Sequence, residues 1–105
     1  MIGEALKGHL DLLLMAILKN GPAHGYAIIE ALRERSQGTF DLPEGTIYPA
    51  LHRLEEAGWL SSHWDESASR RRRIYELTQK GKLELAKRQQ DWRQFARAVD
   101  ATVGL

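Results

Sequence analysis

Three patterns in the sequence predict a mainly α-helical (α+β) chain, in which a small mixed unit carries a long last helix. Apolar residues recur at spacings of three and four along three successive stretches that end by Gly58. The period then switches to two across residues 60–64 and again across residues 73–77. From residue 79 the helical spacing returns and continues without Pro to about residue 101. The order is helix, helix, helix, hairpin, long helix.

Each element has its own signals. The first helix is expected over Glu4 to Lys19, with Leu6, Leu10, Leu13, Leu14, Ile17 and Leu18 on its apolar side. Asn20-Gly21-Pro22 ends it, since Gly can take a left-handed cap and Pro cannot continue a helix. The second spans about His24 to Ser36, with Tyr26, Ile29 and Leu32 as its inward stripe and Ile28 beside it, and Gln37-Gly38 closes it. Thr39 to Pro43 is extended. The third runs from about Gly45 to Ala57, with Ile47, Leu51 and Leu54 inward and Ala50 beside them. Asp41 and Glu44 have capping-box spacing, but Pro49 favours Thr46 as N-cap, which places the proline in the first turn where its missing N–H is harmless.

Gly58 ends this helix and the hairpin follows. Leu60, Ser62 and Trp64 alternate with Ser61 and His63, residues 65–69 form a polar loop, and Arg73, Tyr75 and Leu77 alternate with Ile74 and Glu76. Thr78 is a good N-cap for the last helix. Three helices followed by a two-stranded hairpin form a winged helix-turn-helix, in which the third helix enters the major groove and the hairpin, or wing, reaches an adjacent groove or phosphate. Residues 1–77 are read as a winged-helix DNA-binding domain and residues 78–105 as a C-terminal dimerisation helix.

Bulk composition narrows the function classes. The 105 residues suit one domain, and 43% apolar with 28% charged residues is an ordinary globular balance. The absence of cysteine removes disulfides, thiolate metal sites and cysteine nucleophiles, and it suits a cytoplasmic location. No stretch approaches the roughly 18 apolar residues of a membrane span, so no membrane partner is expected. His9, His24, His52 and His63 include no i, i+4 pair, and neither a Gly-rich phosphate loop nor a nucleophile elbow is present. Neither an enzyme, a cofactor nor a metal site is expected.

Charge is unevenly placed. Residues 1–69 hold 5 Lys/Arg against 10 Asp/Glu, and residues 70–105 hold 10 against 4. The basic half includes Arg70-Arg71-Arg72-Arg73 at the loop-to-strand junction of the hairpin, where four adjacent guanidiniums call for an anionic partner such as phosphate. On the third helix the outward set is Thr46, Tyr48, Pro49, His52 and Arg53, side chains able to reach base edges and phosphates. The same face would also suit a plain surface helix, and Glu44, Glu55 and Glu56 weaken its electrostatic attraction to DNA. On the last helix Leu85, Gln89, Trp92, Ala96, Val99 and Val103 are spaced four, three, four, three, four. A second subunit or the first helix of the same chain could cover this seam.

Three segments resemble the PadR family of transcriptional regulators. Gly21-Pro22-Ala23-His24-Gly25-Tyr26 is similar to the segment opening that family's second helix. Gly45 to Glu55, followed by Gly58-Trp59-Leu60, resembles its recognition helix, and Arg72 to Gly81 its wing strand and the start of the final helix. Chain length resembles the short subgroup with a single C-terminal helix. The resemblance implies a homodimeric repressor that binds double-stranded DNA at an inverted-repeat operator and is released by a small-molecule effector. It implies DNA contacts from Thr46, Tyr48, Pro49 and Arg53, from Arg70, Arg71, Arg72 and Arg73, and from Tyr26, which either touches phosphate or supports the recognition helix. The expected dimer interface comprises Leu6, Leu10 and Leu14 of the first helix with Leu85, Trp92, Phe95, Ala96 and Val99 of the last. Trp92 and Leu12 are the expected effector contacts, for a small flat aromatic molecule, with Trp92 as a plain interface anchor the alternative. Lack of the longer members' C-terminal domain argues against phenolic acids as the effector. The competing function is a winged-helix protein-interaction or drug-sequestering module without specific DNA binding, and the four wing arginines argue against it.

Overall fold

The computed structural model describes residue 6, residues 8–67 and residues 69–105. Its elements are α1 (Leu10–Leu18), β1 (Ala23–His24), α2 (Gly25–Arg35), α3 (Glu44–Glu56), β2 (Leu60–Asp65), β3 (Arg72–Leu77) and α4 (Gln79–Val103). α1 is the hub: Leu14, Met15, Ile17 and Leu18 are buried, and the helix packs on α2, α3, α4 and β3. Ile28 and Leu32 of α2, Ile47, Leu51 and Leu54 of α3, Leu60, Tyr75 and Leu77 of the sheet, and Leu85 of α4 complete the core. Among the described residues no polar or charged side chain is buried, so apolar burial holds the unit together.

The expected winged helix-turn-helix is present, with four differences of detail. The helix expected over Glu4 to Lys19 is interrupted at Gly8 and His9, a turn in which the His9 N–H donates to the Leu6 carbonyl at 2.8 Å, and α1 runs on from Leu10. A glycine inside a helix costs up to about 1 kcal/mol, which favours a break there. Glu4 and Lys7 lie outside the described residues. A third strand, β1, joins the hairpin, pairing Ala23 with Tyr75 and His24 with Ile74 in a sheet of order β1-β3-β2. The inward stripe of α2 is Gly25, Ile28 and Leu32, and Tyr26, expected inward, is 58% exposed. Finally, Thr46 is not the N-cap of α3.

That last correction concerns α3, the expected recognition helix. The cap is Pro43, whose carbonyl accepts from the Thr46 and Ile47 N–H groups at 3.0 and 3.2 Å, and Pro49 lies inside the helix. Pro49 cannot donate to the Gly45 carbonyl four residues earlier, but Gly45 is exposed, so water can satisfy that oxygen. Neither Asp41 nor any other side chain caps this end. The other end is firmly closed. Gly58, at φ 83°, donates to Glu55, and Trp59 donates to Leu54, the paired bonds of a Schellman motif.

The hairpin runs in register from Leu60 opposite Leu77 to Asp65 opposite Arg72. Thr78 then joins it to α4. Its hydroxyl accepts from the Gly81 N–H at 2.9 Å and donates to the Gly58 carbonyl at 2.7 Å, while Lys80 Nζ donates to the Ala57 carbonyl at 3.1 Å. Gly81 sits against the Trp59 carbonyl so closely that a Cβ there would collide with it. The C-terminus of α3 and the N-terminus of α4 are thus clasped together.

Candidate nucleic-acid interface

On α3 the side turned from the core presents Thr46, Tyr48, Pro49, His52 and Arg53, all exposed as expected. Two of these are anchored from behind. The Tyr48 ring lies over Gly25 at the start of α2, where a Cβ would overlap the ring. Burial, with the Glu44 charge adding to it, pushes the Tyr48 hydroxyl above its usual range, so it stays a neutral donor. Arg53 Nη2 donates to Asp11 Oδ1 of α1 at 2.6 Å. His52 faces Glu56 at 3.4 Å on the open surface.

Glu55, which sequence reasoning counted against DNA binding, is turned toward the sheet. Ser62 Oγ donates to it at 2.6 Å, Arg73 Nε donates to the same Ser62 oxygen at 2.7 Å, and Arg73 Nη2 lies 4.0 Å from the Glu55 carboxylate. The relay offsets the acid's charge and ties Arg73 to Ser62 and Glu55, while Arg73 still lines the groove beside the wing. Arg70, Arg71 and Arg72 are exposed.

The arginine run is further sorted by the pleat of the strand. Arg71 and Arg73 both stack on Trp64, their guanidinium carbons 4.3 and 5.0 Å from the ring centre. Arg72 points to the other face, where its Nη1 lies 3.2 Å from His24 Nε2. His24 also caps α2, its Nδ1 accepting from the Ala27 N–H at 3.3 Å. His24 thus ties the start of α2 to the wing. His24 and Arg72 line a groove of about 720 Å³ between α3 and the wing, which Tyr26, Tyr48, Trp64 and Arg70 also reach. Sequence reasoning missed His24 and Trp64. A histidine before a helix looks like an ordinary cap, and Trp64 looks like one more position of an alternating strand.

The other expected sites separate into two groups. Leu14 and Leu85, expected at a dimer interface, are 0% and 2% exposed within the single chain and belong to its core. Leu10 is half-buried against that core. Trp92, Phe95 and Val99 are exposed on α4, as is Val103. Leu12 and Trp92 line one cavity of about 610 Å³ between α1 and α4, together with Leu6 and Ala96. His9 meets the Trp92 ring edge-on, centroids 4.9 Å apart. No group of three or more His, Asp or Glu side chains among the described residues could hold a metal ion, and no helix among them is long and apolar enough to cross a membrane.

Comparison with known proteins agrees with this geometry. The profile of the transcriptional regulator PadR-like family matches residues 14–87. The crystal structure of a PadR-family transcriptional regulator from Eggerthella lenta superposes with a TM-score of 0.85 at 30% identity, over 98% of this chain and 88% of that one. A PadR-family regulator from Clostridium difficile gives a TM-score of 0.77 at 34% identity, over 90% and 98%. The transcriptional regulator Rv3488 of Mycobacterium tuberculosis is 36% identical over 67 residues, 64% of this chain and 63% of that protein. The chain belongs to the PadR-like family and is a winged-helix, DNA-binding regulator of transcription rather than an enzyme.

Proposed function

We propose that the protein is a homodimeric, sequence-specific repressor that holds an inverted-repeat operator and is released by a small flat aromatic effector. The observation that carries this reading is the groove in which Tyr48 of α3, with Glu44 beside it, meets Arg70 and Arg72 of the wing. A major-groove reader and a phosphate clamp on one side of the molecule suit a duplex better than an acidic protein partner. Trp92, Phe95, Val99 and Val103 form an exposed apolar run along the outer half of α4, and a second copy would bury it. Two recognition helices could then reach half-sites about 34 Å apart.

The cavity between α1 and α4 supports the effector. Its volume falls within the roughly 300–1,000 Å³ of small-molecule sites, and Trp92 offers a flat aromatic wall. Filling it would shift α4 against α1 and change the spacing of the two α3 helices, provided the effector prefers one arrangement. The test is fluorescence anisotropy with DNA from upstream of the gene against a scrambled duplex, over a salt series. A preference of about a thousandfold or more with a steep salt slope supports the reading. Equal, weak binding to both overturns it in favour of a protein-interaction or sequestering module.

A further inference from the structure

Arg53 is the one Lys or Arg of α3, and a carboxylate 42 residues away in sequence holds it. Asp11 accepts from Arg53 Nη2 at 2.6 Å through one oxygen, and its other oxygen lies 3.8 Å from Arg88 Nη1 of α4. Arg88 is itself fixed, donating to Glu84 at 2.8 Å and stacking over Trp59 with its guanidinium carbon 4.8 Å from the ring centre. Three helices therefore meet at a single acidic group. Leu12, the next residue, faces the cavity beside Trp92.

We infer that Asp11 is a positioning residue for Arg53, and that through Arg88 it links the aim of the recognition helix to the placement of α4. This rests on the proposed sequence-specific binding. An arginine has five donors, so one Nη2 contact leaves the other edge of the guanidinium free for a base. A freely rotating arginine would lose side-chain entropy on docking, whereas one already held by a carboxylate loses less. The Asp11 side chain is 21% exposed and Arg53 60%, so the carboxylate stays behind while the guanidinium faces outward. Any shift of α4 against α1 alters the share of Asp11 that Arg88 takes and so alters the hold on Arg53.

The test has two arms on the intact protein. In the first, the guanidinium nitrogens of Arg53 are observed by NMR without DNA. Slow rotation about the Cζ–Nη bonds is expected in the native protein, fast rotation in Asp11→Asn, and a changed signal in Arg88→Gln. Fast rotation in the native protein overturns the inference whatever DNA does. In the second, operator and scrambled duplexes are compared by anisotropy. Asp11→Asn should lower the preference for operator about tenfold without weakening binding to the scrambled duplex, and the double variant with Arg53→Gln should be no worse than Arg53→Gln alone. An unchanged preference in Asp11→Asn, equal loss on both duplexes, or additive losses overturns the role. A native protein without preference refutes specific binding and this role with it, and the NMR arm would still show whether the pair exists.

Discussion

The recognition helix and the wing face the same groove but carry charge in opposite ways. On α3 the single arginine is bound to Asp11 and Glu55 is bound through Ser62 and Arg73, which leaves the exposed Glu44 as the charge beside Tyr48. The wing carries Arg70, Arg71 and Arg72 exposed, with Arg71 on the Trp64 ring and Arg72 against His24, and ties Arg73 to Ser62 and Glu55. In the proposed function the difference would give the two parts separate terms of DNA binding. Free guanidiniums supply affinity that falls with salt and ignores sequence, and a positioned helix supplies discrimination.

Replacing Arg70, Arg71 and Arg72 together by Gln would break that division on its electrostatic side. Affinity for operator and scrambled duplex should both fall on the order of a hundredfold at about 0.1 M salt, and the salt slope should flatten by roughly 3. An altered preference between the two duplexes would show that the wing reads sequence. Next in size, Arg53→Ala should reduce operator preference by about tenfold to a hundredfold, at about 1–3 kcal/mol per lost base contact, and leave scrambled binding unchanged.

Gly25→Ala sharpens the comparison from the side of the helix. The added methyl displaces the Tyr48 ring, so it should cost about 1–3 kcal/mol of stability and weaken operator binding, both measurable by thermal melts and anisotropy. Trp64→Ala frees the stacked guanidiniums of Arg71 and Arg73. A few-fold weaker binding with an unchanged salt slope is expected, since each such contact contributes about 0.5–1 kcal/mol and no charge is lost.

The smallest effect concerns pH. Burial raises the Tyr48 and Tyr75 hydroxyls, so the folded chain holds these protons more tightly than the unfolded chain does. Their contribution is complete below the ordinary tyrosine range near 10 and is lost as pH rises above it. Denaturant melts of Tyr48→Phe with Tyr75→Phe should therefore show a shallower alkaline decline than the native protein.

What could be read from the sequence was mostly local. Gly58 closing α3, Thr78 opening α4 and the period-two hairpin each rest on neighbouring residues, and all three hold in the structure. β1 has two residues, too short to show alternation, and its pairing with β3 becomes visible only after folding. Pro49 was misplaced because a rule about single residues was set against a helix that four core side chains anchor. The hold of Asp11 on Arg53 and the relay from Arg73 to Glu55 join residues far apart in the chain, and no spacing in the sequence encodes them. Leu12 and Trp92 line one cavity within the single chain, and His9, which also lines it, gave no signal in the sequence.

The clasp of Thr78, Gly58 and Gly81 has a consequence for the DNA as well as for the protein. It leaves no slack between the helix proposed to read a half-site and the helix proposed to join the subunits. In a dimer the distance and rotational phase between the two reading heads would then be set by rigid parts, as in a fixed-gap caliper. One inserted base pair moves a half-site by about 3.4 Å and turns it by about a tenth of a helical revolution. With no flexible joint to absorb that turn, the protein would measure the length of the spacer between half-sites as strictly as it reads the bases within them.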